Sequence, residues 1–127
     1  MKILDFEQGT PEWRAARAGR VTASRIDDVL AKIKTGEAAS RRDYRCQIIA
    51  EILTGNPQDD GYVNAEMQWG IDHEELARSA YEVSRNVLVD QIGFVVHPAI
   101  ERAGASPDGL IGNALVEIKC FKMVTYL

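Results

Sequence analysis

Ser106-Pro107-Asp108-Gly109, seven intervening residues, then Glu117-Ile118-Lys119 is the stretch on which the fold turns. Pro107-Asp108-Gly109 and Gly112-Asn113 are turn pairs. Leu115 to Phe121 alternates apolar and polar residues as a half-buried strand does, and Ala103 to Ser106 is a short strand candidate. The pattern predicts a β-hairpin whose connection lies within Pro107 to Asn113. Successive strand residues point to opposite faces, so Glu117 and Lys119 share one face while Val116, Ile118 and Cys120 share the other. One face is core and the other charged. Pairing of the strands would bring Asp108 near Glu117, giving two carboxylates and one ammonium in one place. Mg²⁺ takes oxygen ligands and commonly one or two carboxylates, leaving room for water and phosphate oxygens. A metal held there would polarise a phosphate and lower the pKa of a bound water, while Lys119 positions that water or stabilises developing charge. The competing reading, a solvated strand face beside a turn aspartate, is the commoner origin of so short a pattern.

The chain before this stretch is helical in character. Thr10 is a candidate N-cap with Pro11 at the first helical position and Glu12 in the first turn, and the short helix runs to about Ala18, where Gly19 ends it. Thr22-Ala23-Ser24 supplies a second cap before Ile26, Val29, Leu30 and Ile33, whose spacing predicts a one-sided helix. Tyr44, Ile48, Ile49, Ile52 and Leu53 mark a third helix that stops at Gly55-Asn56-Pro57, and a polar loop, Gln58 to Gly61, follows. A longer helix spans about Asn64 to Arg85, weakened locally by Gly70. Val87 to Val96 then turns β-branched and aromatic, as a strand. The expected order is helices first and a small sheet last.

Composition limits the alternatives. The 127 residues are 46% hydrophobic and 27% charged, which fits one compact domain, 1–127, able to bury about two-thirds of its unfolded surface. No apolar run is long enough to cross a membrane, and Met1 to Gln8 carries Asp5 and Glu7 where a secretory leader would be basic then apolar. A cytoplasmic location is the expectation. Cys46 and Cys120 alone support neither a disulfide framework nor a four-cysteine cluster, and are expected as buried free thiols. His73-Glu74-Glu75-Leu76-Ala77 lacks the second histidine of a zinc protease helix, and Gly104-Ala105-Ser106-Pro107-Asp108 lacks the last glycine of a nucleophile elbow. His97, before Pro98, is expected to be an ordinary loop or strand-end histidine. The net charge of −4 is unevenly divided: residues 1–45 hold 10 Lys+Arg and 7 Asp+Glu, while residues 46–127 hold 5 and 12. Basic and acidic roles are thus separated along the chain.

Asp108, Glu117 and Lys119 resemble the Asp…Glu-x-Lys signature of the restriction-endonuclease-like PD-(D/E)XK nuclease superfamily. The surrounding segments resemble one branch of it, the phage lambda exonuclease family or YqaJ-like viral recombinases. They are Glu7-Gln8-Gly9-Thr10-Pro11-Glu12-Trp13, Arg17-Ala18-Gly19-Arg20-Val21-Thr22-Ala23-Ser24, Trp69-Gly70 with Glu74 and Ala77-Arg78, Gly93-Phe94, and Ala105-Ser106-Pro107-Asp108-Gly109-Leu110 with Glu117-Ile118-Lys119-Cys120. They stand in family order from Glu7 to Cys120.

The resemblance implies an α+β fold, with N-terminal helices on a small mixed or antiparallel sheet forming a restriction-endonuclease-like core. It implies that Asp108 and Glu117 bind catalytic Mg²⁺ or Mn²⁺, that the Ile118 carbonyl adds a ligand, that Lys119 is the catalytic lysine and that Glu74 is the helix-borne acid near the metal. Arg17 and Ser24 match positions that bind a terminal 5′-phosphate. A helix start capped at Ser24 would itself favour an anion. Trp13 and Trp69 are expected to support the motifs, with base stacking by Trp13 as the alternative. The implied activity is 5′ to 3′ digestion of linear double-stranded DNA from its ends, in phage-type recombination inside a bacterial host. The implied partners are DNA ends, a single-strand-annealing protein and two further copies in a homotrimer. The alternatives are a structure-specific endonuclease of the same superfamily and a non-catalytic DNA-end binding module. The family continues beyond the Glu-x-Lys strand with a glutamine-bearing helix and further strands, so elements C-terminal to this chain are expected to be lacking here.

Overall fold

The structure is a computed structural model and describes residues 2–59 and 61–122. Asp60, inside the expected polar loop, lies outside the described residues. The chain divides into two compact units, residues 1–59 with 92–106, and residues 60–91 with 107–127. The architecture is α+β, as expected.

The first unit holds β1 (Lys2–Leu4), α1 (Pro11–Arg17), β2 (Val21–Thr22), a 3₁₀ turn (Ala23–Arg25), α2 (Ile26–Leu30), α3 (Ala39–Thr54), β3 (Phe94–Val96) and β4 (Ala103–Ala105). Its mixed sheet has the order β1-β3-β4-β2, with β1 and β4 antiparallel to β3 and β2 parallel to β4. The sheet therefore does not simply follow the helices: β1 and β2 come from the N-terminal segment. Central β3 is buried along its length, and Phe94 is fully enclosed. Gly104 of β4 lets the Phe94 ring lie against its backbone, since a Cβ there would sit 2.3 Å from the ring. Thr10 caps α1 through its side chain, which accepts from Trp13 N, and α3 ends on Gly55 in the left-handed conformation.

The expected helix through Ile33 is cut short. Only Ile26–Leu30 is α-helical, Lys32 bridges to Glu37, and Ile26, Leu30 and Ile33 are exposed. Ser24 is not a helix cap, because it lies inside the 3₁₀ turn, whose preceding residue Thr22 makes no capping bond. A five-residue helix also has too little aligned backbone to draw an anion by itself. Cys46 is exposed and Cys120 half-buried, so the thiols are free but not buried. His97 is the expected loop histidine: its Nδ1 accepts from the backbone N–H groups of Ala99 and Ile100, both at 3.0 Å.

The second unit holds α4 (Ala65–Arg85), β5 (Gly109–Ile111) and β6 (Ala114–Val116). Asn64 caps α4 by accepting from Met67 N, and the helix runs unbroken through Gly70 to Asn86, which takes the left-handed cap conformation. The segment expected as one strand, Val87 to Val96, is divided. Asp90 bonds back and forth to Leu110 of β5, whereas Phe94–Val96 forms β3 of the first unit. The hairpin is also reassigned, since β4 pairs in the other sheet and β5 pairs with β6. Its two-residue turn is Gly112-Asn113, and Gly112 supplies the positive φ of 59° required at the first position of a type II′ turn. Val89 and Leu110 are buried here, but Leu76, Val83 and Leu88 are exposed, so the core is smaller than the composition allows.

Candidate functional site

The acidic site belongs to the second unit. Gly109 pairs with Val116, so Asp108, which precedes the one, and Glu117, which follows the other, flank the end of the ladder. The ladder stops there, and Glu117, Ile118 and Lys119 lie outside β6 rather than within it. The cause is local. Asp108 N donates to the Val116 carbonyl at 3.0 Å, but Pro107 has no N–H with which to continue the ladder. Asp108 Oδ2 instead accepts from Ile118 N at 2.6 Å. Asp108 thus holds the Glu117-Ile118-Lys119 segment through its side chain. The alternation survives without a ladder: Glu117 and Lys119 are exposed, while Val116, Ile118 and Cys120 are half-buried. Lys119 Nζ lies 3.6 Å from Glu117 Oε2, and both side chains are more than half exposed. An exposed pair at that distance is worth at most about 1 kcal/mol, so little holds it closed.

Glu74 comes to the same place from α4. Burial first, then hydrogen bonding to Asp108 and the negative charges of Asp108 and Glu117, push Glu74 up to about 7, with Arg78 acting in the opposite direction. Arg78, one turn further along α4, places Nη2 3.6 Å from Glu74 Oε2 and donates to the Asp108 carbonyl at 3.4 Å. Among the described residues no three His, Cys, Asp or Glu side chains converge on a single ion position. What the unit brings together is a set of carboxylates whose mutual repulsion adds to burial in raising the Glu74 pKa. That donor chemistry suits a hard divalent cation, which would relieve the same repulsion.

The basic site belongs to the first unit. Arg14, Arg17, Arg20 and Arg25 line a cavity of ≈ 110 Å³ together with Ser24. The Arg17 guanidinium lies 4.3 Å over the Trp13 ring and donates from Nη2 to Ser24 Oγ at 3.4 Å. Trp13 is itself fixed, with its indole N–H shared between the Gly93 carbonyl at 3.1 Å and Ser106 Oγ at 3.0 Å. This is the supporting role expected of Trp13. Burial lowers the Arg17 pKa, opposed mainly by the negative charge of Asp59, and its buried Nε has no hydrogen-bond partner. Arg25 stacks 4.2 Å over Tyr44, whose hydroxyl accepts from Thr22 N. Two arginines therefore lie over aromatic rings around one concavity, an arrangement suited to a phosphate.

The sequence reading missed Arg14, Arg20 and Arg25 as cavity-lining cations and Arg78 as a partner of the acidic site. The i,i+3 spacing of Arg14 and Arg17, and the i,i+4 spacing of Glu74 and Arg78, were the available signals, but both are ordinary on solvated helices. Trp69 stacks on His73 with ring centroids 3.9 Å apart and is 38% exposed, placing it as a helix-surface aromatic.

The model of the YqaJ-like viral recombinase domain matches residues 12–127. Among solved structures, the chain is similar to an alkaline exonuclease, LHK-Exo, from Laribacter hongkongensis, at 43% identity and a TM-score of 0.74. It is similar to LHK-Exo in complex with dAMP at 44% identity and a TM-score of 0.77. Both matches cover 92% of this chain and 56% of the other, so the chain spans little more than half the length of those proteins. No curated protein matches it in sequence.

Proposed function

The chain belongs to the YqaJ-like viral recombinase domain family, and from that premise we propose that it is the nuclease domain of a divalent-metal-dependent exonuclease that digests linear double-stranded DNA from 5′-phosphorylated ends. The observation that carries the reading is the pair of ties on Asp108: its Oδ2 accepts from Ile118 N, inside Glu117-Ile118-Lys119, and its backbone carbonyl accepts from Arg78, which pairs with Glu74. Asp108, Glu117 and Glu74, with the Ile118 carbonyl, would hold Mg²⁺ or Mn²⁺. The metal would supply Lewis acidity at the scissile phosphate and a water acidic enough to act as nucleophile near neutral pH.

The protein groups have separable tasks. Asp108 fixes the position of the Ile118 backbone through the 2.6 Å bond to its N–H. Lys119, loosely paired and exposed, is free to turn its ammonium toward the attacking water or the developing negative charge. Arg17 and Ser24 bind the terminal 5′-phosphate, with the Trp13 ring beneath the Arg17 guanidinium. The basic cavity would also meet the DNA backbone, so the overall acidity of the chain is no obstacle. The dAMP bound by LHK-Exo is a deoxynucleoside monophosphate, the class of product such cleavage would release. Residues 1–127 would act as one nuclease domain, and DNA ends, a single-strand-annealing protein and a homotrimer are the proposed partners. The family's viral setting favours action in the cytoplasm of a bacterial host. Among the described residues no helix is long and apolar enough to cross a membrane.

The test is digestion of linear 5′-phosphorylated duplex beside closed circular duplex, with Mg²⁺ or EDTA and with Glu117→Ala as control. Loss of linear DNA alone, dependent on Mg²⁺ and Glu117, is the expected result. Nicking of the circle would identify an endonuclease instead. Metal-independent binding without cleavage would identify an end-binding module.

A further inference from the structure

Arg78 is buried: its side chain is 9% exposed and its Nε has no hydrogen-bond partner. A guanidinium taken out of water is costly unless it is paired, and an apolar side chain of similar volume is usually the more stable choice when packing is the only need. The pairing here is specific. One nitrogen, Nη2, lies 3.6 Å from Glu74 Oε2 and 3.4 Å from the backbone carbonyl of Asp108. Glu74 and Asp108 stand 34 positions apart in the chain, and both residues are ligands in the function proposed above. A surface ion pair looks different: in Arg41–Glu37 the Arg41 side chain is half exposed. We propose that Arg78 is a positioning residue of the metal site, tying the Glu74 carboxylate on α4 to the Asp108 backbone so that the two ligands keep a fixed spacing.

The proposal rests on the reading of Glu74 and Asp108 as ligands. Its physical content is that a helix and a hairpin presenting one ligand each need a brace between them, because a small error in spacing costs metal affinity. Both contacts fall on Nη2, whose N–H directions the planar guanidinium fixes, while a lysine ammonium is a single point charge on a shorter, flexible stem. Arg78→Lys therefore keeps the charge and loses the brace, and Arg78→Met keeps the apolar stem and loses both.

The experiment is calorimetric Mn²⁺ titration of the full-length protein at pH 8, alongside kcat and KM on 5′-phosphorylated duplex, for wild type, Arg78→Lys, Arg78→Met and Glu74→Gln. Removing a group that orients a metal ligand commonly lowers affinity about 10- to 100-fold, and a loss in that range is expected for both Arg78 variants. The kcat should fall with it, with KM for DNA unchanged and Arg78→Lys the milder of the two. If Arg78→Met does not fold, the same loss in folded Arg78→Lys carries the result. Weakened Mn²⁺ binding in Glu74→Gln with wild-type binding in Arg78→Lys would overturn the positioning role and leave the ligand reading standing. Unchanged Mn²⁺ binding in Glu74→Gln would overturn the ligand reading and the brace with it.

Discussion

Replacing Glu74 by glutamine should remove a proton-linked step from metal binding. In the metal-free protein Glu74 is pushed up to about 7 by burial and by Asp108, against an ordinary value of 4.5. A carboxyl with a pKa of about 7 is roughly 10% ionised at pH 6 and about 90% ionised at pH 8, so apparent affinity for a cation that needs its charge should fall about tenfold between them. An ordinary glutamate is almost fully ionised at both and would change affinity negligibly. The assay is calorimetric titration with Mn²⁺ at pH 6 and pH 8, in buffers of different ionisation enthalpy so that released protons are counted. Wild type should release close to one proton per metal at pH 6 and few at pH 8. Glu74→Gln should bind more weakly at both and lose the tenfold slope. Stability without metal runs in the opposite direction. A raised carboxyl pKa means that the folded state binds the proton more tightly, so this contribution is complete below about pH 4.5 and is lost as pH rises through about 7. Metal-free wild type should therefore lose more stability between pH 5 and pH 8 than Glu74→Gln does. A tenfold pH effect that persists in Glu74→Gln would refute the reasoning by placing the linked proton elsewhere.

Three further substitutions separate the proposed roles. Lys119→Ala should abolish cleavage and leave Mn²⁺ binding intact, because the lysine is exposed and its pair with Glu117 is weak; loss of both together, measured by turnover and calorimetry, would make Lys119 structural. Arg17→Ala should erase the preference for 5′-phosphorylated over 5′-hydroxyl ends, compared as initial digestion rates, and an unchanged preference would move the phosphate site. Glu51 is 6% exposed and accepts from Gly19 N at 3.1 Å and Gln58 N at 3.0 Å. Glu51→Ala orphans two backbone donors and should cost about 3–5 kcal/mol in urea unfolding. A loss below about 1 kcal/mol would show that water replaces the carboxylate readily.

What could be read from the sequence was what is local in it. Thr10, Asn64 and Gly55 act where their chemistry predicts, because a cap involves only three or four neighbouring residues. The strands β1 and β2 were not readable: they are three and two residues long, and each exists only through partners remote in the chain, Val96 for Lys2 and Ala103 for Val21. Val87 to Val96 had the composition of one strand, but propensity does not say that Asp90 bonds to Leu110 while Phe94 pairs with Leu4. The stripe Ile26, Val29, Leu30, Ile33 had helical period and no burying partner along its length, so periodicity alone overextended α2.

The acidic site shows why a partly wrong strand assignment still located the candidate chemistry. Alternation after Leu115 gave the facing of Glu117 and Lys119, and facing depends only on extended backbone. Ladder pairing is a separate condition, and it fails at Glu117 because Pro107 offers no N–H and the Asp108 side chain takes the Ile118 N–H. A regular hairpin would bury that donor in a backbone bond and leave Asp108 without a tie to the strand. Here the bond couples one proposed ligand to the segment carrying Glu117, while Arg78 couples Asp108 to Glu74. Both ties converge on Asp108, one through its side chain and one through its backbone carbonyl, so its substitution should release the Glu117 segment and leave the Arg78 tie in place. Sequence spacing could identify Asp108 as a ligand candidate, but its part in holding the other two emerges only from the hydrogen bonds of the folded chain.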